Sequence, residues 1–333
     1  MHLSVVIPTF NRAGLLGRTI PALMRQETGD FTYEVIFVSN GSSDATETVL
    51  TEAAIEYQGR LRYFSIAPTG GPSAPRNVGI RAAAGEVVVI LDDDVLPDPA
   101  LLRAHAEFHR AHPDRQCATI GELYVPADMM DDPISLFHTF PYDEVRGLDV
   151  LSYLHFWTCN VSFKREFMLE CGMFDESFLY YEDILCGYRL AESGMSLHFA
   201  PKARGQHLHQ LKSSGVPAKA VFTGRWLFAF LQKVPDPAAM ERFGVLSRDL
   251  PFGLLARRVL GRLAFRLADN AIILGSLRLA GATGNKRGRL TDLYYEMIFR
   301  HHLLAGYYQA KREAPRRQTG AGLAQPWIDR GES

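Results

Sequence analysis

Cysteine is scarce: there are four in 333 residues, at positions 117, 159, 171 and 186, with no Cys-x-x-Cys spacing and no Cys/His cluster. This excludes a disulfide scaffold and a structural zinc site, and the thiols are read as reduced, in a reducing compartment. No uncharged apolar run approaches the roughly 18–20 residues of a membrane span. The opening segment, Met1 to Pro8, lacks a basic leader, and Pro8 cuts its apolar run short, so no signal peptide is read there. The expected location is cytoplasmic, with peripheral contact at the inner face of a membrane left open. Net charge is also nearly absent, with 36 Lys and Arg against 37 Asp and Glu. Nothing global therefore points to nucleic acid. No Gly-x-Gly-x-x-Gly follows a strand and no Gly-x-x-x-x-Gly-Lys-Ser/Thr occurs, which disfavours dinucleotide binding and P-loop hydrolysis.

What is present is an ordinary globular composition, 47% hydrophobic and 22% charged, enough for a large core. The near-zero charge conceals a split. Residues 1–209 hold 16 basic against 28 acidic side chains, and residues 210–333 hold 20 against 9. An acidic first part suits a cation, or simply a surface carrying many acids. A basic second part suits an anionic lipid, a phosphorylated acceptor, or the first part itself.

Short apolar, β-branched runs alternate with helical periodicity through the first third. Strands are predicted at Leu3–Ile7, Tyr33–Val38, Leu61–Ile66 and Glu86–Leu91, and helices at 11–25, 45–57 and 74–84. Ser42-Ser43-Asp44 offers an N-cap to the second helix. The pattern reads as βαβ units around a mostly parallel sheet, an α/β fold whose ligands bind beyond the carboxyl ends of the strands. Further along, a helix is predicted at 101–109, strands at 117–125, 157–164 and 196–200, and helices at 165–171 and 181–193. Residues 127–151 read as loops over a site.

The sharpest chemical signal is Val87-Val88-Val89-Ile90-Leu91-Asp92-Asp93-Asp94, a buried strand that ends in three carboxylates. Acids this close repel one another unless a cation compensates, and oxygen ligands suit Mg²⁺ or Mn²⁺ with substrate phosphates completing the shell. Asp-x-Asp after a strand marks the cation site of nucleotide-sugar glycosyltransferases. Asp-x-Asp-x-Val is also the nucleophile motif of haloacid-dehalogenase-type phosphatases, with Asp92 as nucleophile and Asp94 as acid/base. That motif usually sits on the first strand, and here it follows about the fourth.

Seven further markers occur in order: Ser4 to Arg12, Val38 to Asp44, Pro75 to Gly79, Asn160 to Arg165, Gly172 to Glu176, Tyr181 to Leu185 with Arg189, and His207. Together with the acidic turn they make residues 2–210 resemble the inverting family 2 glycosyltransferases of the GT-A fold. The resemblance implies roles residue by residue. Pro8, Thr9, Asn11, Arg12, Asn40 and Ser42 would lie on the donor nucleoside, with Arg76 and Asn77 near its base or ribose. Asp92 and Asp93 would belong to the donor site, and Asp94, Asp92 and His207 would hold Mn²⁺ or Mg²⁺. Asp183, in the Glu182-Asp183 catalytic pair, would be the general base, and some upward tuning of its pKa is expected. Trp157, Asn160, Asp175 and Glu176 would line the acceptor side. The family usually carries an Asp pair where this chain has Ser39-Asn40, and Asn40 can accept a base N–H only without charge.

The reading is a metal-assisted transferase moving a sugar from a nucleotide-diphosphate donor, a UDP-sugar first, to a glycan, lipid-linked or small-molecule acceptor. A non-catalytic sugar-nucleotide-binding protein is the third alternative beside the phosphatase. Residues 1–210 are read as the GT-A catalytic domain, 211–313 as a basic helical extension and 314–333 as a flexible tail. The segment from Lys212 to Gly215 is read as a lid. The amphipathic basic stretches at 250–267 and 274–290 suit a membrane surface, packing on the catalytic domain, or a homodimer. No nucleic-acid partner is expected, because the basic residues are interrupted at core spacing.

Overall fold

A computed structural model describes residues 1–127, 129, 140–208, 215–245 and 289–314. The strands are β1 (His2–Thr9), β2 (Thr32–Asn40), β3 (Leu61–Ile66), β4 (Val87–Leu91), β5 (Val95–Pro97), β6 (Cys117–Tyr124), β7 (Asn160–Lys164) and β8 (Ser196–His207). They form one sheet in the order β3-β2-β1-β4-β7-β6-β8-β5. The helices are α1 (Ala13–Met24), α2 (Thr46–Glu56), α3 (Ser73–Ala82), α4 (Leu101–Ala111), α5 (Arg165–Glu170), α6 (Glu182–Glu192), α7 (Val216–Lys233), α8 (Pro237–Arg242) and α9 (Arg289–Glu313).

The first four strands pair in parallel, as the βαβ pattern requires. All five residues of β4 are buried, and β1 and β2 are buried on both faces. Continuous apolar runs without alternation are what a sheet covered by helices on both sides demands. The second half departs from the expected parallel order. β7 runs antiparallel between β4 and β6, and β5 antiparallel to the end of β8, so the sheet is mixed. The strand expected over 157–164 is shorter and begins at Asn160, after a 3₁₀ turn at Tyr153–His155. The strand expected at 196–200 runs on to His207 after a register shift opposite Gly121 and Glu122. That extension, with the short β5 that has no sequence signal, sets Val95 opposite His207 and so brings His207 to the acidic turn.

Helix α3 can lie close to β1 because Gly79 has no Cβ; one built there would run into the Val6 side chain. This close approach sets Arg76 within 3.4 Å of Asp92, just beyond β4. A second apolar cluster joins α7, α8 and α9 to Phe178, Tyr181, Ile184 and Leu185. Gly224 of α7 faces the Leu303 carbonyl of α9, and Gly306 faces the Val221 carbonyl, both too near for a Cβ. Gly224→Val should therefore pry the two helices apart and lower stability by about 1–3 kcal/mol, read by denaturant unfolding; an unchanged midpoint would contradict this crossing.

All four cysteines are free. Among the described residues no helix is long and apolar enough to cross a membrane. The stretch 250–267, nearly all of 274–290, residues 212–214 and the tail beyond 314 lie outside the described residues, as does most of the segment 128–139.

Candidate active site

The carboxyl ends of β1, β2 and β4 supply the floor of the site. Asp92-Asp93-Asp94 occupies the turn between β4 and β5. Its first amide donates to the Cys159 carbonyl at 3.3 Å, and the Asp94 carbonyl accepts from the Leu208 N–H at 2.8 Å. Asp93 accepts a 2.7 Å bond from the Thr9 hydroxyl and lies 3.3 Å from Arg12 Nε. Burial pushes its carboxyl up to about 7, with Arg12 opposing and Asp94 adding repulsion. Asp94 Oδ2 lies 3.8 Å from the Arg12 guanidinium, and its Oδ1 lies 3.5 Å from His207 Nε2. Asp92 is also raised by burial, against the pull of Arg76 and with Asp94 repelling.

Arg76, projecting from α3, joins the acidic turn to α6. Its guanidinium donates to Glu182 Oε1 at 2.6 Å, lies 3.4 Å from Asp92 Oδ1, and sits over the Phe174 ring. Glu182 and Asp183 open α6, following Tyr181, whose φ of 61° is left-handed without a glycine. No sequence signal marks that strained residue, and such strain is stored where the surrounding structure fixes it. Its ring is held between Phe230 and Phe243 of the C-terminal part. Asp183 is partly open to solvent. Burial, and then the neighbouring Glu182 charge, push its carboxyl up to about 7, against Arg76 and the Ile184 N–H it accepts at 2.8 Å.

Other residues singled out from the sequence take supporting positions. Asn11, at φ 53°, brackets the second loop: its Oδ1 accepts from the Ser43 N–H at 2.8 Å, and its own N–H donates to Ser42 Oγ. Pro8 pairs with Val38 within the sheet. Asn40 has its amide engaged, accepting from the Thr69 N–H and hydroxyl at 3.0 Å and donating to the Gly71 carbonyl. Ser39 instead bonds to Glu47, a carboxylate on α2 that the sequence did not single out and that Ser65 also meets. Asn77 clamps the Phe174 backbone and donates to Glu176. Asp175 pairs with Lys233 at 2.6 Å. Trp157 is buried among Phe140, Tyr142 and His155.

Asn160 is enclosed as well. It donates to the Ala203 carbonyl and accepts from His105 Nε2 at 2.8 Å. The other nitrogen of that ring meets Ser162, which His109 also reaches. Burial lowers these histidines to about 4 and about 2, so both rings are neutral. This network braces β7 where it pairs with Leu91, one residue before the acidic turn.

The donors at the turn fit a divalent cation. Asp94, in the turn before β5, and His207, on β8, offer a carboxylate and an imidazole nitrogen 3.5 Å apart, a set that suits Mn²⁺ or Mg²⁺ with phosphate oxygens and water filling the shell. Among the described residues no group of three or more His, Cys, Asp or Glu side chains forms a complete protein cage.

Comparison with known proteins agrees with this architecture. The glycosyl transferase family 2 model matches residues 4–163. A validoxylamine A glucosyltransferase of Streptomyces hygroscopicus is 32% identical over 233 residues, covering 61% of this chain and 54% of the relative. The chain thus spans about half the length of that relative. The mannosyltransferase PcManGT from Pyrobaculum calidifontis, solved with GDP-Man and Mn²⁺, superposes with a TM-score of 0.61 at 18% identity, over 93% of this chain and 87% of the other. S. aureus TarS, solved with UDP-GlcNAc, gives 0.52 at 17% identity, over 93% and 92%. The dehalogenase-type alternative is set aside by the family match. Residues 4–163 thus carry a match to glycosyl transferase family 2, within a fold similar to those of GT-A glycosyltransferase structures.

Proposed function

We propose that the chain transfers a sugar, with inversion, from a nucleoside-diphosphate donor to an acceptor hydroxyl, with Asp183 as general base. The observation that carries this reading is the placement of Asp183. It is a partly exposed carboxylate raised to about 7, beside Glu182, whose ion pair with Arg76 leads to the acidic turn where a donor would lie. The acceptor hydroxyl donates its proton to Asp183 as its oxygen attacks the anomeric carbon. The bond from that carbon to the diphosphate oxygen breaks on the opposite face, and the nucleoside diphosphate leaves with the electron pair. One displacement gives inversion. Asp94 and His207 would hold Mn²⁺ or Mg²⁺, whose positive charge stabilises the departing diphosphate. Arg12 keeps Asp93 and Asp94 in place, and Thr9 orients Asp93.

A UDP-sugar is the first donor we assign. TarS, solved with UDP-GlcNAc, and PcManGT, solved with GDP-Man, support a nucleotide-sugar donor. Because Asn40 is engaged with the 69–71 loop, base recognition falls to other groups at the strand ends. The acceptor class we propose is a glycan, lipid-linked or small-molecule hydroxyl. Residues 1–210 would form the catalytic unit, 211–313 an extension and 314–333 a tail.

The test is a thermal-shift panel of UDP, GDP, dTDP and CDP with Mn²⁺ or EDTA, followed by a transfer assay with the sugar nucleotide of the base that binds. A metal-dependent rise in Tm with one nucleotide is expected, because a ligand of the native state stabilises it by mass action. Absence of both binding and transfer across the panel would sink the reading.

A further inference from the structure

Glu182 and Asp183 take their direction from the residue before them. Tyr181 turns the chain into α6 at φ 61°, in the left-handed region, where a bulky side chain crowds its own backbone. Glycine adopts that conformation without steric cost, and tyrosine does not. The Tyr181 side chain makes no capping bond to the helix it precedes. Its ring is what the structure holds. Tyr181 is 7% exposed, with Phe230 stacked on it at 5.6 Å and Phe243 edge-on at 5.0 Å. These contacts belong to the apolar cluster of α7, α8 and α9, beyond the matched family segment.

The segment leading to Tyr181 is held from two sides. On one side, Asn77 of α3 bonds the Phe174 backbone at 2.9 and 3.0 Å, and Arg76 meets Glu182 at 2.6 Å. On the other, Lys233 pairs with Asp175 at 2.6 Å, Trp226 lies 5.3 Å from Phe178, and Phe222 lies 6.2 Å from Tyr180. Phe222, Trp226, Phe230 and Lys233 recur at three- and four-residue spacing and so share one face of α7. A right-handed φ at Tyr181 would send the chain into α6 at another angle. Glu182 would then leave Arg76, and Asp183 would move with it. Strain of this kind persists only where surrounding packing over-determines it.

We infer that Tyr181 is a positioning residue for Asp183, and that Phe230 and Phe243 of the C-terminal extension hold its left-handed turn. The extension thereby acts on the chemical step rather than on donor affinity. This rests on the reading of Asp183 as general base.

The test is steady-state transfer from the sugar nucleotide the wild type uses, beside calorimetric titration of its nucleoside diphosphate in Mn²⁺. Tyr181→Ala and Tyr181→Gly both remove the ring and differ in the cost of the left-handed turn. The kcat of Tyr181→Ala should be roughly 5- to 30-fold below that of Tyr181→Gly. A ring that only fills the core gives glycine no such advantage. Phe243→Ala, at a half-buried position, should lower kcat about 2- to 10-fold, and Phe243→Leu should restore most of it. Diphosphate affinity should change much less than kcat in all four variants. Assays below the onset of thermal unfolding of each variant separate these effects from lost stability. Equal kcat in Tyr181→Ala and Tyr181→Gly, wild-type kcat in Phe243→Ala, or affinity losses that match those in kcat would overturn the inference. The base reading would survive any of these as long as Asp183→Asn abolishes transfer. Wild-type turnover in Asp183→Asn, or a wild type that transfers no sugar, would overturn both.

Discussion

Asp183→Asn should lower sugar transfer by roughly 10²–10⁴-fold, the range a positioned general base supplies, while donor binding stays close to wild type. The isosteric amide keeps the acceptance from the Ile184 N–H but cannot take a proton from the acceptor. The pH profile makes the prediction specific. An ordinary carboxylate would be ionised throughout the neutral range and give a flat profile above about pH 5. Here burial and the Glu182 charge hold the acid form up to about 7. Wild-type kcat/KM should therefore rise about tenfold per pH unit below 7 and level off above it. In Asp183→Asn that limb should vanish along with the rate. Glu182→Gln should move it to lower pH, because the like charge beside Asp183 is gone. Steady-state kinetics between pH 5 and 9 would read all three. A variant that keeps wild-type turnover would remove Asp183 from the role of base.

The largest stability effect is expected at Arg76. Its guanidinium is buried between Glu182 and Asp92, at 2.6 and 3.4 Å, with Phe174 beneath it. Arg76→Met keeps the apolar stem and leaves Glu182, Asp92 and Asp183 without their shared cation. Breaking a buried pair from one side costs about 3–5 kcal/mol, because the remaining charge stays desolvated. For a chain of this size that corresponds to a fall in Tm of roughly 4–7 °C. Adding Glu182→Gln to Arg76→Met should recover a substantial part of the loss, since the two residues are in contact and their effects are coupled. A single variant within 1 kcal/mol of wild type by chemical denaturation would show that the triad is not the brace between α3 and α6. Transfer should fall in Arg76→Met as well, through a misplaced Asp183.

Much of this molecule was readable along the chain because its signals are local. The first four strands are apolar runs buried on both faces, so their presence needs no knowledge of partners. Three consecutive aspartates after such a run require compensation by charge wherever they lie, and an acidic pair opening a helix is plain in Tyr181-Glu182-Asp183. The acidic turn follows from these patterns, and the candidate base from the resemblance to the family whose model matches residues 4–163.

What the tertiary structure decided is which of these polar groups face the cleft and which are consumed in building it. Asn160, Asn77 and Asn40 look alike in the sequence as candidate binding amides, yet each has its hydrogen bonds filled by backbone or side chains 29 to 99 residues away. A side chain's partners depend on which distant segments the sheet brings beside it, and the antiparallel insertion of β7 and the pairing of β5 with β8 have no local signature. The same holds for the helices beyond 215. Composition marked the part from about 216 onward as helical and basic, but only packing shows that α7 lies along the segment from Asp175 to Tyr181. Apolar periodicity states that a face will be covered; the shape and charge of the facing segments determine by what.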